Sequence, residues 1–139
     1  MSAKKTFTII ILVLILIISL DATKTYKYSS ENEDWEITVL IKEYATVFDY
    51  IKPTYHKSIE RTLIIDYKNL DDSITNYNIF TYQYSTNGGG GKGEIVNPNN
   101  PHFEVSGYSE GGSFYNYDDD VQVVISLDDK SEYFILELQ

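Results

Sequence analysis

The chain opens with a strongly apolar stretch, Phe7–Leu20 (FTIIILVLILIISL), interrupted only by Thr8 and Ser19 and preceded by Lys4 and Lys5. A short basic start followed by an unbroken apolar run is the pattern of an export signal. Crossing a bilayer core as a helix takes roughly 20 apolar residues, with about 17 as a practical minimum, so this run suits a signal h-region better than a full span. Ala22 fits the −1 position of a cleavage site, whereas Leu20 at −3 is larger than signal peptidase prefers. Two readings therefore stand for residues 1–22, a cleaved signal peptide and a permanent membrane anchor formed by an apolar helix. In both, Lys4 and Lys5 stay inside and the remainder is exported. A buried core helix is the weakest reading, because a helix with no polar face needs an apolar groove all round.

After this segment the pattern changes to period two. Residues 23–34 form a polar spacer with room for an edge strand at Lys24–Ser29. In Trp35–Lys42, Trp35, Ile37, Val39 and Ile41 alternate with Glu36, Thr38, Leu40 and Lys42, the mark of a half-buried strand. The alternation blurs through Tyr44–Tyr50 and stops at Pro53, which cannot donate to a ladder. Lys57–Lys68 is a second strand with Ile59, Leu63, Ile65 and Tyr67 inward. Arg61 falls on that same face, so it is expected near a strand end or beside a carboxylate. Asn69–Asn76 carries turn chemistry, and Tyr77–Ser85 is a third strand with Phe80, Tyr82 and Tyr84 on one face.

The stretch NGGGGKG at Asn87–Gly93 predicts a flexible loop, since its glycines lose much backbone entropy in any regular element. A short strand at Glu94–Val96, a double-proline corner at Asn97–Pro101, a strand at His102–Tyr108 and a loop over Glu110–Asp120 follow. The chain closes on a hairpin. Val121, Val123, Ile125 and Leu127 alternate, Asp128-Asp129-Lys130 turns, and Phe134, Leu136 and Leu138 share a face of the returning strand. Trp35, Ile37, Val39, Leu63, Ile65, Val123, Ile125, Phe134 and Leu136 are the predicted core. Seven or eight short antiparallel strands and no sustained helical period indicate an all-β domain over residues 35–139. An immunoglobulin-like β-sandwich fits best, and a small barrel is the alternative.

Composition narrows the function. There are no cysteines, so an exported domain of this size relies on its core alone. All 21 acidic residues follow Leu20, while two of the 11 basic residues precede it, so residues 21–139 carry 21 acids against 9 bases, a net of −12. Such a field repels nucleic acid and anionic lipid, and favours cations, basic proteins or neutral glycans as partners.

The order of an export segment, a Trp35-led strand, IERTLIIDY at Ile59–Tyr67, YQYSTNGGGGKGEI at Tyr82–Ile95 and a final VxVxIxL hairpin resembles a group of small exported or lipid-anchored β proteins of Bacillus-type bacteria. The resemblance covers most of the exported part and implies a cell-surface, immunoglobulin-like β domain. It implies no activity. Many members carry a lipobox Cys that this chain lacks.

Several motifs touch on chemistry. Gly107-Tyr108-Ser109-Glu110-Gly111 matches GxSxG, but a nucleophile elbow needs a following helix and a later His, and His56 and His102 both precede Ser109. Lys92 in the glycine run is followed by Gly93 and Glu94 rather than Ser or Thr, so no phosphate loop is expected. Asp118-Asp119-Asp120 and Asp128-Asp129 offer oxygens for Ca²⁺ but lack a DxDxDG spacing, and read as solvated acidic turns. His56 and His102 alone do not make a zinc site. No cofactor is expected. The segment with Tyr108, Phe114, Tyr115, Tyr117 and Asp118 combines aromatic area with hydrogen-bonding groups, as sugar- and protein-binding loops do. The expected function is therefore a non-enzymatic binding or structural module of the cell envelope. A small exported hydrolase using an Asp/Glu pair, for which Glu104 and Glu110 are candidates, is the rival.

Overall fold

The computed structural model describes residues 22–47, 55–110 and 120–139. The apolar N-terminal segment and the greater part of the aromatic loop lie outside these residues. The described chain forms eight strands: β1 (Ala22–Glu31), β2 (Trp35–Val47), β3 (Tyr55–Tyr67), β4 (Ile79–Thr86), β5 (Gly89–Val96), β6 (His102–Glu110), β7 (Val121–Leu127) and β8 (Lys130–Leu138). A single 3₁₀ turn, Ile74–Asn76, is capped by the Ser73 side chain, which accepts from the Thr75 N–H.

All pairings are antiparallel and run in one sheet, in the order β5-β4-β7-β8-β1-β2-β3-β6. The immunoglobulin-like sandwich expected from the strand count requires two separate sheets. Here β1 joins them, pairing with β2 over its whole length and with β8 at Tyr28↔Leu138 and Ser29↔Glu137. That narrow seam lets the sheet fold on itself, so the β5-β4-β7-β8 half covers the β1-β2-β3-β6 half in a nearly closed arrangement. The strand expected at Lys24–Ser29 is thus present, as an internal strand rather than an edge. Tyr28, one of its inward residues, is 2% exposed.

The core lies between the halves, and the alternation read from the sequence fills it. Trp35, Ile37, Val39, Leu63, Ile65, Val123, Ile125, Phe134 and Leu136 are all buried. Trp35 of β2 stacks on Phe80 of β4 with ring centroids 5.9 Å apart, and Phe80 stacks on Phe103 of β6 at 4.3 Å, so aromatic contacts cross from one half to the other.

Short turns fix the registers. Asn32 accepts from the N–H groups of Asp34 and Trp35, each at 2.9 Å, which closes the β1–β2 turn. Asp128 takes a positive φ of 49° in the β7–β8 turn, and its carboxylate accepts from the N–H groups of Asn78 (2.9 Å) and Ile79 (2.8 Å). The carboxylate that the sequence offered for Ca²⁺ is used to seat the start of β4.

Candidate binding cleft at the open side of the sheet

The two terminal strands of the sheet, β5 and β6, flank its open side. Strand β5 includes most of the glycine run that was expected to be a loop. Asn87-Gly88 makes a two-residue hairpin turn in which Gly88 takes a φ of +84°, a conformation costly for other residues. The chain then returns as a strand paired with β4 from Thr86↔Gly89 to Ile79↔Val96. Glycine is a poor strand former because it has no side chain to pack. Here neighbouring rings replace that packing. Tyr82 lies opposite Gly93 and Tyr84 opposite Gly91, and both rings fold over the bare backbone of β5. This is aromatic rescue of edge glycines.

Arg61 holds one end of the open side together. It is 5% exposed in mid-strand on β3, and its guanidinium lies against Gly89, whose Cβ would come within 3.0 Å of Cζ. Its Nε donates to Thr86 Oγ1 (3.1 Å), Nη1 to Ser109 Oγ (3.0 Å) and Nη2 to the Gly88 carbonyl (3.1 Å). One side chain of β3 therefore ties β6 to the β4–β5 turn. The expectation of a strand-end position or a carboxylate partner gives way to three neutral oxygens among the described residues. Ser109, the serine of the GxSxG match, is one of these acceptors within a regular strand and sits on no elbow.

Beyond Arg61 the open side becomes an apolar cleft of about 320 Å³, lined by Leu63, Ile65, Tyr82, Ile95, Phe103 and Val105. Leu63 and Ile65 are buried, while the other four are half-buried and pack against the core. Charged groups stand around it. His102 Nδ1 is 2.5 Å from Asp66 Oδ1, and its Nε2 is 3.8 Å from Glu104 Oε2. The hydrogen bond with Asp66 raises the imidazole pKa above its ordinary 6.5. This His–Asp pair is exposed, and among the described residues no hydroxyl bonds to the imidazole where a triad would place its nucleophile.

A second, smaller concavity of about 140 Å³ lies at the end of the sheet that carries the β1–β2 and β7–β8 turns. Its carboxylates already have partners. Asp72 accepts from Tyr77, from Tyr67 (3.2 Å) and from Asn76 (2.8 Å). Asp34 accepts from Asn69 (2.9 Å), and Glu132 from the Trp35 indole (3.3 Å) and Asn32 (2.8 Å). The bond from Tyr77 holds the Asp72 carboxyl below its usual range, while burial and its neighbours push the Tyr67 phenol well above its own. A general acid needs a raised carboxyl, so Asp72 is shifted the wrong way for that role. Among the described residues no group of three His, Cys, Asp or Glu is arranged to hold a metal ion.

Of the five predicted contact residues, Tyr108 alone is described. It belongs to β6 rather than to a loop and is 62% exposed on the outer face, in register with Glu60. The Tyr44 hydroxyl donates to that Glu60 carboxylate at 2.9 Å. Phe114, Tyr115, Tyr117 and Asp118 lie outside the described residues. So do the side chain of Glu110, the partner suggested for Glu104, and that of His56. The open cleft is not legible locally, because the glycine run Asn87–Gly93 reads as a loop and leaves only Glu94–Val96 of β5 as a strand. The signal available was the Asn87-Gly88 dipeptide, a hairpin turn, next to the alternating Tyr82 and Tyr84.

Comparison with models of protein families, with curated proteins and with solved structures finds no match for this chain.

Proposed function

We propose that this chain is an exported binding module of the cell envelope, secreted or held at the membrane by its N-terminal segment, and that it works without catalysis. The resemblance to small exported β proteins and the Lys4-Lys5 apolar start support the export. The observation that carries the binding reading is the apolar cleft between β5 and β6, where four half-buried side chains are left beside two strand edges that are unpaired among the described residues. Apolar area that a fold leaves open in one contiguous place marks interaction sites.

The hydrolase reading has less support. It needs two carboxyls across a cleft, one of them raised in pKa by an apolar pocket. Glu104 is exposed beside His102, and the carboxylates of the smaller concavity are held by neighbouring donors.

The test is fractionation of cells making the full chain, followed by sedimentation with isolated envelopes. The domain is expected outside the cytoplasm and bound to envelope material, with retention lost in the Ile95→Lys/Val105→Lys double variant. A soluble cytoplasmic pool with an intact N-terminus, or equal retention of the double variant, would overturn the proposal.

A further inference from the structure

We infer that the open side between β5 and β6 takes up an extended, cationic peptide segment as an added strand. The inference rests on the binding-module reading and names its class of partner.

Backbone chemistry comes first. Among the described residues β5 and β6 each pair along one edge, with β4 and with β3, so each turns a row of backbone N–H and C=O groups toward the open side. Proteins normally blunt such edges with prolines, bulges, inward charges or covering segments. Neither strand contains a proline, and both keep an unbroken register with their neighbours. Four of the eight residues of β5 are glycines, so its own side chains add little bulk, and the rings of Tyr84 and Tyr82 cover its backbone from β4. Lys92 is the single cation on β5, and His102 is the basic group on β6.

The floor between the edges matches an added strand. Phe103 and Val105 are two residues apart on β6, and Ile95 lies across from them on β5 with Tyr82 beneath. A strand turns every second side chain to one face, so its alternate apolar residues would meet this floor while its backbone meets the edges. In strand addition the main chain supplies affinity and the alternate pockets supply specificity.

Charge selects the partner. Glu94 stands on β5 and Glu104 on β6, against Lys92 on β5 and a His102 already paired with Asp66, in a molecule whose residues 21–139 carry a net of −12. A second copy would bring the same sign to the same edges, which costs association free energy. A segment with cations on its outward positions meets the opposite sign.

The test uses the full chain in mild detergent and a labelled decapeptide alternating lysine and valine. Saturable binding is expected by fluorescence anisotropy, with amide-exchange protection rising in both Gly89–Val96 and His102–Glu110. A glutamate–valine counterpart, and a lysine–valine peptide N-methylated at alternate bonds, should each bind at least about tenfold more weakly. Val105→Lys should weaken binding by a similar factor, while Val124→Lys on the outer face of β7 should leave it unchanged. Equal binding of the N-methylated peptide would reduce the cleft to an apolar or charged patch and overturn strand addition. So would no binding at all, protection confined to other strands, or a dimer already paired through these edges. Failure of the peptide with envelope retention intact would sink this inference alone, whereas loss of retention would sink the reading beneath it.

Discussion

The Tyr82 ring occupies the space that a side chain at position 93 would need: a Cβ built on Gly93 would lie 2.3 Å from the Tyr82 hydroxyl and 2.5 Å from Cζ. The two residues face each other across the β4–β5 ladder. An edge strand that is half glycine is thus covered by the rings of its neighbour, and Tyr82 also forms part of the wall of the cleft beside it.

Substitution at the two glycine sites should separate two kinds of clash. At Gly90 a Cβ would lie 2.2 Å from the Tyr84 carbonyl oxygen, a backbone atom that moves only with its strand. At Gly93 the obstacle is the far end of a side chain. Gly90→Ala is expected to cost more stability than Gly93→Ala. The loss at Gly93 should shrink in a Tyr82→Ala background, giving a coupling of about 0.5–3 kcal/mol in a urea-denaturation cycle. Additive effects would show that ring and glycine are independent.

Arg61→Ala should lower stability by about 2–3 kcal/mol, because it leaves Thr86, Ser109 and the Gly88 carbonyl without a charged donor at a buried site. Arg61→Lys should recover little of this, since an ammonium cannot reproduce a planar fork. Amide exchange is the discriminating measurement. The β4–β5 turn should open faster in both variants, and an unchanged exchange rate there would remove Arg61 as the tie across the open side.

The His102–Asp66 pair gives a pH signature. The folded pKa is raised, chiefly by the Asp66 hydrogen bond, so protonated His102 stabilises the fold fully below its unfolded value. That contribution is lost as pH rises through the folded pKa. An NMR titration should place the His102 midpoint above 6.5, and Asp66→Asn should bring it back toward that value. A midpoint unmoved by Asp66→Asn would show that the bond is not maintained in solution.

Asp72 should behave with the opposite sign. Its carboxyl is lowered, first of all by the Tyr77 hydroxyl, so its contribution is present above the unfolded pKa and lost as pH falls through the folded one. Tyr77→Phe should move the Asp72 midpoint up in a carboxyl-detected titration and reduce the difference in stability between neutral and mildly acid pH.

Ile125, 1% exposed, should cost about 2–5 kcal/mol on truncation to Ala. Tyr133→Ala on the outer face of β8, where the ring is 56% exposed, should stay within about 0.5 kcal/mol. A reversal of this order would place the core on the wrong side of the β7–β8 hairpin.

Period-two alternation determined a great deal by itself. Side chains in a strand point to opposite faces in turn, so the faces of β2, β3, β4, β7 and β8 follow from local sequence, and with them the nine predicted core residues. The Asp128-Asp129 turn is equally local. What the sequence left open depends on contacts between distant residues. Whether the strands form two sheets or one turns on the Tyr28↔Leu138 and Ser29↔Glu137 pairs, which join opposite ends of the chain. Whether the glycine run loops or extends turns on Tyr82 and Tyr84, whose rings cover Gly93 and Gly91 from the next strand. Arg61 breaks the alternation of β3 for a reason that lies on β4 and β6, where its three acceptors are brought together by the folded sheet. The cleft belongs to the same class: no residue of it is unusual in sequence, and it exists because the sheet folds far enough to bring β5 and β6 to one side without pairing them.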